Sequence, residues 1–234
     1  MIVDQDVVID AGTGVGDLSV SELALIDHVF LTHSHLDHVA SLPFLLDTVS
    51  WFRDRPVTLY ATQATLDALR KHLFNWKLWP DFSVIPSAER PALRYQAIEL
   101  GETVDLDGRR ITAVPANHVV PAVGFHLDSG AGSLVYTGDT TTNDALWPVV
   151  NRIANLRYLI IETALSDRER DLAVVSKHLC PALLADELGK LASSPEIYIT
   201  HLKPREAEVI MDEIAARAGQ RKPRMLANNQ VFDF

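Results

Sequence analysis

The run Thr32-His33-Ser34-His35-Leu36-Asp37-His38 limits what this chain can fold into more than any other feature. It follows Val29-Phe30-Leu31, a short apolar stretch that stops at it as a buried strand stops at a polar loop. Four ligand-type side chains, His33, His35, Asp37 and His38, fall within six positions of a chain that holds nine histidines. In a loop, this spacing lets His33 and His35 point to one metal ion while Asp37 and His38 reach a second. Imidazole and carboxylate donors suit Zn²⁺, with Mn²⁺ and Fe as rivals.

The rest of the chain supplies an alternating framework for that loop. Val7–Ile9, Leu134–Tyr136, Tyr158–Ile161 and Ile197–Ile199 read as further buried strands. Helical spacing predicts helices over Leu42–Phe52, Gln63–Phe74, Pro181–Leu191 and Arg205–Arg217, the last stopping before Gly219. Between Ile98 and Phe125 the pattern is strand-like, with Asp107-Gly108 as a hairpin turn. The expectation is an α/β chain whose two sheets are covered by helices, forming one domain over residues 1–234.

Composition removes several classes of function. The 234 residues carry 21 basic and 31 acidic side chains, a net charge of −10, which opposes nonspecific binding to nucleic acid or anionic lipid. A local metal charge overrules that field only at a site. One cysteine, Cys180, excludes an internal disulfide, so a reducing compartment, the cytoplasm, is expected. There is no apolar run of the ~18–20 residues that a spanning helix needs, and no signal-peptide pattern is visible.

With its His-x-His-x-Asp-His run after a strand, the chain resembles the metallo-β-lactamase superfamily over nearly its whole length. The resemblance implies a four-layer αββα sandwich and assigns roles to residues further along. Asp10, in Val8-Ile9-Asp10-Ala11-Gly12, matches an aspartate that braces the histidine loop. His118, Asp139 in Thr137-Gly138-Asp139-Thr140, and His201 match the remaining metal ligands. His33, His35 and His118 would then hold one divalent ion, Asp37, His38 and His201 a second, and Asp139 would bridge them. Two such ions generate a hydroxide near neutral pH, because bound metal lowers the pKa of water from 15.7 to roughly 7. Asp37 counts among the catalytic residues by shaping the metal pair.

Glu162-Thr163, Ser176-Lys177-His178 and Thr200-His201-Leu202-Lys203-Pro204 resemble the class II 3′,5′-cyclic-nucleotide phosphodiesterases, which share a plan with ribonuclease Z. That resemblance implies a Glu162–His178 pair in which the histidine protonates the leaving alkoxide. The expected activity is hydrolysis of a cyclic nucleotide such as cAMP, a small phosphodiester, with neither membrane nor nucleic acid as partner. The alternatives are a tRNA 3′-end endonuclease and a thioester or lactone hydrolase. A basic tRNA-gripping insertion is not visible, and the acidic charge counts against nucleic acid. Homodimer formation is left open.

Three features lie outside this plan. The aromatic segment from His72 to Phe82 offers faces for stacking on a purine, and equally anchors for a long loop or a subunit interface. His28, His72 and His126 have no motif around them and read as structural or surface residues. Lys203, two positions after His201, either meets a phosphate or is a solvated lysine.

Overall fold

Apolar runs form two sheets in the computed structural model, which describes residues 1–234: one of five strands in the unit Met1–Glu99 and one of seven in the unit Leu100–Phe234. In the first unit the elements run β1 (Ile2–Val3), β2 (Val7–Ile9), α1 (Val20–Leu23), β3 (His28–Phe30), α2 (Leu36–Val39), α3 (Leu42–Val49), β4 (Val57–Ala61), α4 (Gln63–His72) and β5 (Leu93–Ala97). Strands β2 to β5 are parallel, and β1 adds antiparallel to β2. Leu42, Leu45, Leu46 and Val49 recur at helical spacing on α3, and all four are buried with Val8, Val29, Leu31 and Leu59 of the sheet region. Each such side chain stabilises the unit by roughly 1.5–3 kcal/mol relative to an exposed one. Ser19 caps α1 through a capping box with Glu22, and Thr62 caps α4.

The second unit contains β6 (Thr103–Leu106), β7 (Arg109–Pro115), β8 (Val123–Asp128), β9 (Ser133–Tyr136), α5 (Trp147–Val150), β10 (Leu156–Glu162), α6 (Arg170–Ser176), α7 (Pro181–Gly189), β11 (Glu196–Thr200), α8 (Ala207–Ala218) and β12 (Arg224–Met225). Strands β6 to β9 form an antiparallel meander, after which β9 to β12 are parallel. The expected turn at Asp107-Gly108 is present, with φ of 55° and 90°, the pair of left-handed residues that a two-residue hairpin needs. Leu183, Leu184 and Leu188 of α7 and Ile210 and Ile214 of α8 are buried with Val135, Leu159, Ile161, Ile197 and Ile199.

The register places the chemistry. Ile161 pairs with Ile199 and Glu162 with Thr200, so Glu162 and His201 emerge together at the carboxyl ends of parallel strands. Asp10 and the histidine run leave β2 and β3 at the corresponding ends, where Ile9 pairs with Phe30. Carboxyl ends of parallel strands are where such sheets present ligands.

Several boundaries differ from expectation. The strand read at Val29–Leu31 lies at His28–Phe30, and the helices read to Phe52 and Phe74 stop at Val49 and His72. Strands β4 and β5 were not anticipated. Asp37 and His38 lie on the helical turn α2 and not in loop, because the chain is extended only to His35, and Ala40 N–H then bonds to Leu36 carbonyl. No helix is long and apolar enough to cross a membrane.

Candidate functional site

In the first unit the ligand run is held by Asp10. Its Oδ1 accepts from Thr32 N–H at 2.8 Å, and its Oδ2 lies 2.7 Å from His38 Nδ1 and 2.9 Å from Thr32 Oγ1. Thr32 Oγ1 is also 2.9 Å from His33 Nδ1. An ionised carboxylate only accepts, so His38 carries its proton on Nδ1 and offers Nε2 to a metal; Thr32 passes the same constraint to His33. Asp10 has φ of 57°, a left-handed conformation that aspartate tolerates better than most residues. Ala11 N–H bonds to His38 carbonyl at 2.7 Å, and Ser41 N–H to Ala11 carbonyl at 2.9 Å. Gly12 makes this closeness feasible: a Cβ there would stand 2.1 Å from the Asp37 carbonyl oxygen.

His33 and His35 rings meet edge to face at 4.7 Å, and their ligand atoms lie within 4.8 Å of each other. His38 Nε2 stands 3.6 Å from Asp37 Oδ2, with the imidazole buried and the carboxylate largely exposed.

In the second unit Asp139 is the centre of the ligand set. Its Oδ2 lies 3.9 Å from His118 Nε2 and 3.5 Å from His201 Nε2. His118 Nδ1 is turned away, 3.1 Å from the Lys177 carbonyl. That carbonyl is aimed by a left-handed cap at the end of α6, where Lys177 has φ of 53°. Lys177 Nζ also bonds to Asn117 Oδ1 and to the His118 carbonyl, both at 3.1 Å. His201 has φ of 62°; a left-handed histidine directly after β11 is backbone strain of the sort that collects at functional sites.

These distances fit metal coordination. Donors about 2.0–2.1 Å from a tetrahedral zinc stand about 3.3 Å apart, near the 3.5–3.9 Å seen here and beyond a good hydrogen bond. At His38 and His118 the donor chemistry, imidazole Nε2 beside carboxylate oxygen with Nδ1 occupied elsewhere, matches that geometry.

Glu162 is fully buried and receives four donors. Oε1 accepts from Thr140 N–H at 3.0 Å and lies 2.7 Å from His178 Nδ1, while Oε2 accepts from Ala164 N–H and Leu179 N–H. The His178 ring lies 5.0 Å from that of His118 and stacks on that of His201 at 5.1 Å. Burial works against the imidazolium, but the Glu162 hydrogen bond and charge, with Asp139 behind them, outweigh it and raise the His178 pKa; the Lys203 charge offsets part of this.

The expected residues therefore assemble within each unit: Asp10, His33, His35, Asp37 and His38 in one, His118, Asp139, Glu162, His178 and His201 in the other. Lys203 is exposed. Thr32, Thr140, Asn117 and the Lys177 carbonyl were missed. Thr32 and Thr140 each border a ligand residue, a usable signal; a main-chain carbonyl leaves none. His126 sits in β8 with burial lowering its pKa, and His28 lies 3.4 Å from Tyr60 Oη, in keeping with structural roles. The aromatic segment is divided: Phe74 and Phe82 are buried anchors, and Trp76 is exposed.

The family described as Beta-lactamase superfamily domain matches residues 5–220. A Yersinia pestis protein named "Probable 3′,5′-cyclic-nucleotide phosphodiesterase" is 30% identical over 203 residues, covering 76% of this chain and 57% of the relative's length. The chain thus spans little more than half of that relative. A ribonuclease Z of Mycobacterium sp. (strain KMS) is 28% identical over 216 residues, 85% of this chain and 73% of its own length. Among solved structures, unliganded yeast PDE1 superposes with a TM-score of 0.78 at 19% identity, covering 89% of this chain and 68% of that one.

Proposed function

This chain belongs to the beta-lactamase superfamily and has the metallo-β-lactamase hydrolase fold, and we propose that it is a phosphodiesterase acting on a cyclic nucleotide such as cAMP. The observation that carries this reading is the Glu162–His178 pair, 2.7 Å across, with its imidazole beside those of His118 and His201. A thioester releases a thiolate that leaves without strong help; a ribose 3′ oxygen leaves as a basic alkoxide and needs a proton. The cyclic-nucleotide phosphodiesterase relative supports the same choice.

We assign His33, His35 and His118 to one divalent ion, Asp37, His38 and His201 to another, and Asp139 to both, with zinc favoured by the donors. When bound, such ions polarise the phosphoryl oxygens and supply a nucleophile from water near neutral pH. Glu162 fixes the proton of His178 Nδ1 and favours its charged form, leaving Nε2–H for the departing oxygen. Asp10 holds His38 and Thr32 still. Asp37 and Asp139 shape the ion pair and do not act as bases. Both units work as one domain in this reading, in a reducing cytoplasm.

Metal analysis coupled to a substrate panel tests it: cAMP, cGMP, bis(p-nitrophenyl) phosphate, pre-tRNA, a thioester and a lactone. Turnover of the cyclic nucleotides, dependent on bound metal, is the expected result. Trimming of pre-tRNA at physiological salt with cAMP untouched would move the chain to the ribonuclease Z reaction, against which its charge of −10 argues.

A further inference from the structure

The first unit places an exposed aromatic side chain two turns beyond a ligand residue. Ala40 and Ser41 both have right-handed helical backbone, so the chain keeps turning from α2 into α3, although the ladder breaks there, with Ser41 N–H bonded to the Ala11 carbonyl in place of that of Asp37. On such a backbone residues seven apart stand about two turns, or some 10 Å, from one another. Asp37 and Phe44 are that pair. Phe44 is 61% exposed, and Leu36 beside Asp37 is exposed as well.

Phe44 is not a loose surface ring. Trp79 meets it edge to face, with centroids 5.2 Å apart and planes at 66°. Trp79 packs in turn against the core of the unit. The turn that presents it is closed by Trp76 N–H to Trp79 carbonyl at 3.0 Å, and Asn75 Oδ1 accepts from the N–H groups of Lys77 and Leu78. Phe44 is thus backed by an anchored indole while the ring stays open to solvent. A plain surface position has no use for such backing, whereas a stacking platform does, since ordering the ring beforehand reduces the entropy lost on binding.

We propose that Phe44, backed by Trp79, is the platform on which the nucleobase of the substrate stacks, a reading that rests on the phosphodiesterase assignment. A nucleotide held by its phosphate at the ligand residues would bring its base within reach of this ring. Stacking is tolerant of base identity because every base has a π-face, so the platform selects nucleotides over other phosphodiesters without strictly separating adenine from guanine.

The test compares 5′-AMP with ribose 5-phosphate, which shares the phosphate and sugar but lacks the base, by calorimetric titration of the metal-loaded protein. Wild type should bind AMP roughly 5- to 100-fold more tightly, the range that one stacked base supplies. Phe44→Ala and Phe44→Leu should bring that ratio close to one, Phe44→Tyr should preserve it, and the KM for cAMP should rise in the first two. A ratio near one in wild type, or one that survives Phe44→Ala, overturns the platform. A ratio kept by Phe44→Leu also overturns it, since an aliphatic cover would then suffice. Wild type that discriminates AMP through Phe44 yet fails to hydrolyse cAMP would sink the reaction and keep the platform.

Discussion

Glu162 Oε1 lies 2.7 Å from His178 Nδ1, and three backbone N–H groups occupy the rest of that buried carboxylate. The carboxylate cannot swing away without abandoning all of them. The imidazole it holds is therefore fixed in both tautomer and direction.

His178→Ala should lower kcat for cAMP by about 10²–10⁴-fold, the usual worth of a general acid. Bis(p-nitrophenyl) phosphate releases a stable anion and should lose far less. Kinetics on both substrates, with metal content measured, decide the matter. Equal losses would mean that His178 binds phosphate instead of delivering a proton.

Glu162→Gln should be harsher than its near-isosteric shape suggests. With four donors converging on two oxygens, an amide must set its own NH₂ against at least one of them. An unsatisfied buried donor costs about 1–3 kcal/mol, so the thermal midpoint should fall together with kcat. An unchanged melt would show that the pocket relaxes around the amide.

Asp10→Ala should weaken metal binding by about 10–100-fold while leaving every assigned ligand in place, because it frees His38 and Thr32 to reorient. Competition with a chelator of known affinity measures this. Wild-type affinity in the variant would remove Asp10 from any orienting role.

Asp27 gives the first unit a pH-dependent component of stability. Burial pushes its carboxyl up, but hydrogen bonds and charge from Arg55 and Arg53 more than compensate and hold it below the usual range. A depressed folded-state pKa means stability that is complete above the ordinary value of about 3.9 and fades as pH falls through the folded value. Asp27→Asn should thus be clearly less stable than wild type at pH 7, with the gap narrowing below about pH 4. Urea unfolding at several pH values checks it; a gap independent of pH would assign the loss to packing.

The parts of the fold and site that could be read from sequence share a physical cause. Metal ligands crowd into His33–His38 because several donors must converge on one point, and Asp107-Gly108 stands out because few residues accept two left-handed conformations. Strand β4 did not stand out: four of its five residues are buried, which erases the alternation that marks a strand. β5 lies at the sheet edge with Arg94 exposed and carries as little pattern. Asp139 and His201 sit in short, common contexts and were reached only through family resemblance. The geometry around them comes from register, here Glu162 opposite Thr200, which no local pattern encodes.

The acceptor that orients His118 is the main chain of Lys177, and this separates the contact from the amino acid at that position. Alanine scanning would miss it, because Lys177→Ala deletes the bonds from Nζ and leaves the carbonyl where it was. The constraint is conformational: a glycine or asparagine that enters the left-handed region easily would serve as well, and a β-branched residue would not. The side chain at this position can therefore change while the same imidazole keeps its pose, so long as the left-handed backbone is kept.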